Sequence, residues 1–194
     1  MKVLVACEYS GRVRDAFRRG GHDAWSCDLL QTDADPRWHI QGDVRALLGA
    51  GWDLMVAHPP CTYLAVSGAR WWAGRRQEQR DAIQFVRDLL GAPIPRIAVE
   101  NPVGALSSVI GAPTQIIHPW QFGHGECKAT CLWLLNLDPL QPTAIVPGRE
   151  QRIHRMPPSE DRWKKRSETY QGIADAMAEQ WGRPQRQLGL FCHA

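Results

Sequence analysis

The sequence predicts an α/β fold: a doubly wound, mostly parallel sheet with helices on both faces. Three observations lead there. Short runs such as Val3–Ala6 and Leu54–Ala57 are almost wholly apolar, as strands covered on both faces are. Between such runs lie segments with apolar residues at helical spacing. Strand and helix signals alternate along the chain, the pattern of a parallel sheet.

The elements follow in order. Lys2–Cys7 reads as the first strand, and Arg12–Arg19 as a helix with Val13, Ala16 and Phe17 on one side. "GGHD" breaks that helix, and Ala24–Asp28 is a second strand. "QGDVRAL" holds a brief third strand ending at Asp43. Asp53–Ala57 is the fourth and is apolar enough to be central. Gln77–Leu90 is a helix burying Ala82, Ile83, Val86, Leu89 and Leu90. Arg96–Glu100 is a fifth strand, stopped by Asn101-Pro102, and Cys131–Leu135 a sixth. Gly172–Trp181 is the last helix, with Ile173, Ala176, Met177 and Gln180 in register. In such sheets ligands bind beyond the carboxyl ends of the strands. Glu8, Asp28, Asp43, Cys61 and Glu100 all follow predicted strands, so they should converge on one edge.

Bulk properties bound the function. A chain of 194 residues fits one compact domain, read here as residues 1–182 with a tail at 183–194. Hydrophobic content of 44% and charged content of 22% are those of a globular protein. The net charge of +3 is compatible with nucleic acid without requiring it. No apolar run approaches a membrane span. Six cysteines without a signal-like start point to reduced thiols and to the cytosol, bacterial or of a phage-infected host. His124, Cys127 and Cys131 lack a second Cys/His pair nearby, so no metal is expected.

Cys61 stands behind two prolines at the end of an apolar run. A stiff proline loop would hold a sulfur where an attacking thiolate needs it. Alone, Cys61 is read more readily as a small packing residue. Glu100 changes the weighing. Its carboxyl sits at a strand end before Asn101-Pro102, in a place suited to a pocket, or to the start of a following helix.

Together these residues resemble the DNA cytosine carbon-5 methyltransferases, in family order along most of the chain. "CEYSG" resembles the first, cofactor-binding motif, although the usual pair of glycines is missing; Glu8, Tyr9 and Gly11 are its implied contacts. Asp28 matches the acid that binds the ribose of S-adenosyl-L-methionine, and Asp43 in "GDV" the acid that receives the adenine amine. "PPCTYLAVSG" resembles the proline–cysteine loop, with Pro59 at the cofactor and Cys61 as nucleophile; "ENP" matches the Glu-Asn-Val motif, with Glu100 on the base. "KATCLWL" lies where the family places a basic helper, which makes Lys128 or Thr130 the candidate at the cytosine carbonyl. "REQRIHRMPPS" resembles the Arg-Glu motif and "YQGIADAMAEQW" the closing helix. The resemblance implies the Rossmann-like methyltransferase sheet and base flipping.

Family members that read long sites insert a large recognition domain after the "CLWLL" strand. Here the whole insert is about 136–170, and only "NLDPLQPTAIVPG" separates Leu135 from Arg149. Short or relaxed specificity is therefore expected, on double- or single-stranded DNA. "SGARWWAGRRQEQR" offers Arg70, Trp71, Trp72, Arg75 and Arg76 to nucleic acid; one tryptophan is as readily core. Residues 149–170 carry seven Lys/Arg against four acids, with Arg152, Arg155, Lys164 and Lys165 as backbone contacts, or as an ordinary mixed-charge loop. In the tail, "QLGLF" resembles a peptide that binds bacterial sliding clamps through Gln187, Leu188, Leu190 and Phe191; a strand packing back on the domain is the other reading. The alternatives in function are pyrimidine modification on RNA, a free nucleotide or a modified base, and a non-catalytic DNA- or clamp-binding protein.

Overall fold

The computed structural model describes residues 1–183, except the side chains of Trp71 and His154. The clamp-like peptide at 187–191 lies outside the described residues.

Strands β1 (Lys2–Ala6), β2 (Asp23–Asp28), β3 (His39–Gln41), β4 (Leu54–Ala57), β5 (Ile97–Pro102), β6 (Gln115–Ile117) and β7 (Thr130–Leu135) form one sheet. The order is β3-β2-β1-β4-β5-β7-β6. β1 to β5 pair in parallel, and β7 runs antiparallel between β5 and β6. The predicted doubly wound, mostly parallel sheet is the one observed.

Alternation along each strand makes two cores. Val3, Val5, Leu54, Val56, Ala98 and Leu132 face α1 (Arg12–Arg19) and α6 (Gln171–Trp181). Leu4, Ala6, Met55, Ala57, Ile97 and Val99 face the other side, under α2 (Arg76–Leu90) and Leu106 of α3 (Leu106–Val109). Two short helices, α4 (Arg152–Arg155) and α5 (Arg162–Ser167), lie in the 136–170 insert.

Three elements differ from expectation. The third strand is His39–Gln41, and Asp43 instead opens a 3-10 turn over Val44–Leu47, its carboxylate accepting the Arg45 N–H. β5 runs through Asn101-Pro102 because β7 pairs with it that far, Asn101 opposite Cys131 and Pro102 opposite Thr130. A proline removes a ladder donor, but β4 ends opposite Val99, so this extension is paired on one side only. The expected sixth strand is the seventh. Gln115–Ile117 pairs with it first, a three-residue edge strand whose Ile116 is exposed and which therefore shows no buried run.

The order of strands reverses between β1 and β4, and in open sheets of this kind ligands bind beyond the carboxyl ends at such a reversal. The loops 7–11 and 58–65 leave from that place.

Candidate functional site

The loop after β1 turns sharply. Cys7 and Gly11 both have positive φ, 58° and 72°. A Cβ on Gly11 would meet the Arg14 guanidinium at 2.6 Å, so this position needs glycine for space as well as for φ. The Glu8 carboxylate turns back and accepts the Val13 and Arg14 amides at 2.7 and 3.2 Å. It thus satisfies the first free N–H groups of α1. Arg14, which the helical pattern did not mark, is fully buried; it donates to Ser26 Oγ and pairs with Asp15. Tyr9 is buried too, and its hydroxyl donates to the Lys164 carbonyl at 2.8 Å.

Burial raises the Glu8 carboxyl above its ordinary range, against the His58 charge and the two amide bonds. The folded state then holds the proton more tightly than the unfolded chain. That contribution to stability is present below the unfolded carboxyl pKa and is lost as pH rises through the raised value. In urea unfolding across a pH series, Glu8→Gln should therefore gain on the parent as pH rises above the ordinary carboxyl pKa of about 4. A constant difference in midpoint would contradict this.

Asp28 closes β2, and its Oδ1 accepts the Leu30 amide at 2.9 Å. Oδ2 has no hydrogen-bond partner among the described residues. Leu29 beside it is 72% exposed, an apolar surface next to a free carboxylate oxygen. Asp43 is placed differently, because the Arg45 guanidinium grips both its oxygens at 2.6 to 3.1 Å and lowers its pKa.

After β4, the His58 amide donates to Ala6 O and Pro59 is buried. Asn101 Nδ2 donates to Pro59 O at 2.9 Å, tying this loop to β5. A bridge between Ala65 and Gly104, with the Ala105 amide on Leu64 O and the Val66 amide on Val103 O, stitches the two loops further along. Cys61 follows β4 and Glu100 lies in β5, near enough for the carboxylate charge to act on the thiol. Cys61 is exposed. Burial around the sulfur and then the Glu100 charge raise its thiol pKa, and Lys128 and Arg166 pull it down. Glu100 accepts from His58 Nδ1 at 3.3 Å. Burial alone would raise the Glu100 carboxyl, but the His58 bond and charge, with Lys128, outweigh it and hold it below its ordinary value. Lys128 reaches both groups by charge while its Nζ donates to the Arg166 carbonyl. Thr130 is buried at the start of β7, its hydroxyl on Lys128 O at 3.3 Å.

The basic residues divide. Arg70, Arg75, Arg76, Arg155 and Lys165 are exposed, while Trp72 is half-buried. Arg75 lies over the Tyr63 ring. Arg152 is tied to Glu126 and Glu150. Lys164 pairs with Asp33 at 2.8 Å and covers the Tyr9 ring. It therefore fastens α5 across the first loop, a strap that local sequence patterns do not reveal. His124 Nε2 accepts the Gly172 amide.

No protein-family model matches the chain, and no curated protein matches it. Among solved structures it is similar to a candidate DNA modification methyltransferase encoded within an E. coli prophage. The identity is 16% and the TM-score 0.48, over 77% of this chain and 53% of that one. The chain thus spans about half the length of that protein.

Proposed function

We propose that this protein is an S-adenosyl-L-methionine-dependent DNA methyltransferase acting on carbon-5 of cytosine. The observation that carries the proposal is the electrostatic meeting of an exposed thiol, Cys61, and a buried-edge carboxyl, Glu100. They come from the carboxyl ends of two neighbouring strands, β4 and β5. The doubly wound sheet, of the Rossmann-like type that such enzymes use, supports it. So does the reversal of strand order between β1 and β4, the place where sheets of this kind bind ligands.

The cofactor would lie against the first loop and Asp28. The free Asp28 oxygen suits a ribose hydroxyl, and the exposed Leu29 suits a purine face. When bound, it supplies an electrophilic methyl group. Everything else falls to the chain. Cytosine carbon-5 is a poor nucleophile until carbon-6 is attacked. The Cys61 thiolate adds there, and the ring electrons move toward carbon-5 and nitrogen-3. Glu100 accepts from the exocyclic amine and, protonated as the base binds, donates to nitrogen-3, where negative charge develops during that attack. Lys128 faces both groups and favours the thiolate. A carboxyl neutralised by the base also ceases to hold the thiol protonated, so base binding and nucleophile activation are coupled. Loss of the carbon-5 proton and expulsion of the sulfur restore the ring. A duplex base must be flipped out first. Arg70, Arg75, Arg76, Arg155 and Lys165 are the proposed phosphate contacts, and the 187–191 peptide a proposed clamp tether. The short insert favours relaxed specificity.

The test is incubation with methyl-labelled cofactor and DNA, RNA or free nucleotides, followed by mass spectrometry of nucleosides. Label in 5-methylcytidine from RNA, or in a free nucleotide alone, would replace DNA as substrate. Label on an exocyclic amine would overturn the mechanism.

A further inference from the structure

His58 has no part in the reaction just outlined, yet its surroundings are constrained. The residue is pinned to β1 by its amide on Ala6 O, and Pro59 behind it is held by Asn101. The side chain is only 9% exposed. Nδ1 lies 3.3 Å from Glu100 Oε2. Since a carboxylate only accepts, Nδ1 carries the proton in this contact. Nε2 is buried with no hydrogen-bond partner among the described residues. Of the influences that lower the Glu8 pKa, the His58 charge stands ahead of both amide bonds. The imidazole thus contacts the Glu100 carboxyl and is near enough to Glu8 to act on it by charge. A position needed only for packing would take an apolar side chain, because an unpaired buried nitrogen is costly.

We propose that His58 is the positioning residue of Glu100: its Nδ1–H fixes Oε2 and leaves the other oxygen for the pyrimidine. The proposal rests on the reading above for the identity of the base, but not for the link between the two side chains. The charged and titratable groups that act on Glu100 and Cys61 are His58 from the end of β4, Lys128 from the segment before β7, and each other; Glu8, held by the Val13 and Arg14 amides, also feels His58.

The test begins without activity. In protein labelled with carboxyl-13C glutamate, with the Glu100 resonance assigned by Glu100→Gln, His58→Leu removes the donor to Oε2. The Glu100 titration is expected to move to higher pH. His58→Asn keeps an N–H near the Nδ1 position and should leave the titration closer to that of the parent. Should His58→Leu not fold, as circular dichroism will show, His58→Asn alone carries the test. A Glu100 titration identical to that of the parent overturns the proposal. In turnover, His58→Leu is expected to lower kcat by about 10²-fold with the cofactor KM unchanged, and His58→Asn to recover part of it. An unmoved titration beside an active parent sinks His58 alone. A moved titration beside a parent that never methylates cytosine sinks the reaction and leaves the link standing.

Discussion

Cys61→Ser is expected to abolish methyl transfer, with a fall on the order of 10⁴-fold or more, and to leave the fold intact. The sulfur is replaced by a hydroxyl that does not ionise at the working pH, so the attack on carbon-6 loses its nucleophile. The side chain is exposed and forms no part of either core, so stability should change by no more than about 0.5 kcal/mol. DNA containing 5-fluorocytosine, from which the adduct cannot be released, should be trapped covalently by the parent and not by the variant. The parent's rate should also rise with pH through the thiol pKa, which burial and Glu100 place above its ordinary value. Full activity in Cys61→Ser, or a trap that forms without the sulfur, removes covalent catalysis.

Gly104→Ala is expected to damage stability and activity together. A Cβ there would stand 1.9 Å from Leu64 O, 2.8 Å from Leu64 C and 3.0 Å from Ala65 Cα. All three are backbone atoms of the Cys61 loop and cannot swing aside as a side-chain tip would. Relief requires that loop to part from the one that follows Glu100, breaking the Ala65–Gly104 bridge and the Ala105 bond to Leu64 O. Overpacking of this kind costs about 1–3 kcal/mol or more. For a chain of this size that lowers the Tm by roughly 2–12 °C. Separating thiol and carboxyl by even 1 Å should cost about 10²-fold in kcat. Gly49→Ala is the matched control, since a Cβ there meets nothing within 4 Å. Equal Tm and kcat in the two variants would show that the loops are not held by this contact.

Particular residues show how far the sequence was legible. Val3–Ala6, Leu54–Ala57 and Arg12–Arg19 were readable because burial on both faces, or on one helical face, leaves a periodic trace. Cys61 and Glu100 were readable as candidates because strand ends can be found from the strands. Gln115–Ile117 left no trace, being a three-residue edge with Ile116 in solvent. The continuation of β5 through Pro102 was invisible because it depends on a partner thirty residues downstream in the chain, β7. Asp43 and Lys164 looked equivalent to Asp28 and Lys165 as isolated charges. Arg45 and Asp33 occupy the first pair, and only coordinates reveal that.

The sequence by itself determined the alternation of strand and helix, the two-sided burial of the central strands, and which side chains stand at their carboxyl ends. Those are local matters, written in periodicity and in the residues that break it. The tertiary structure alone decided that Glu100 answers to His58, that Arg14 lies buried beneath a glycine turn, and that α5 crosses the first loop through Lys164 and Tyr9. Each depends on pairing between segments far apart in the chain, and hydrogen bonds and Coulomb forces act through a few ångströms of space without regard to sequence separation.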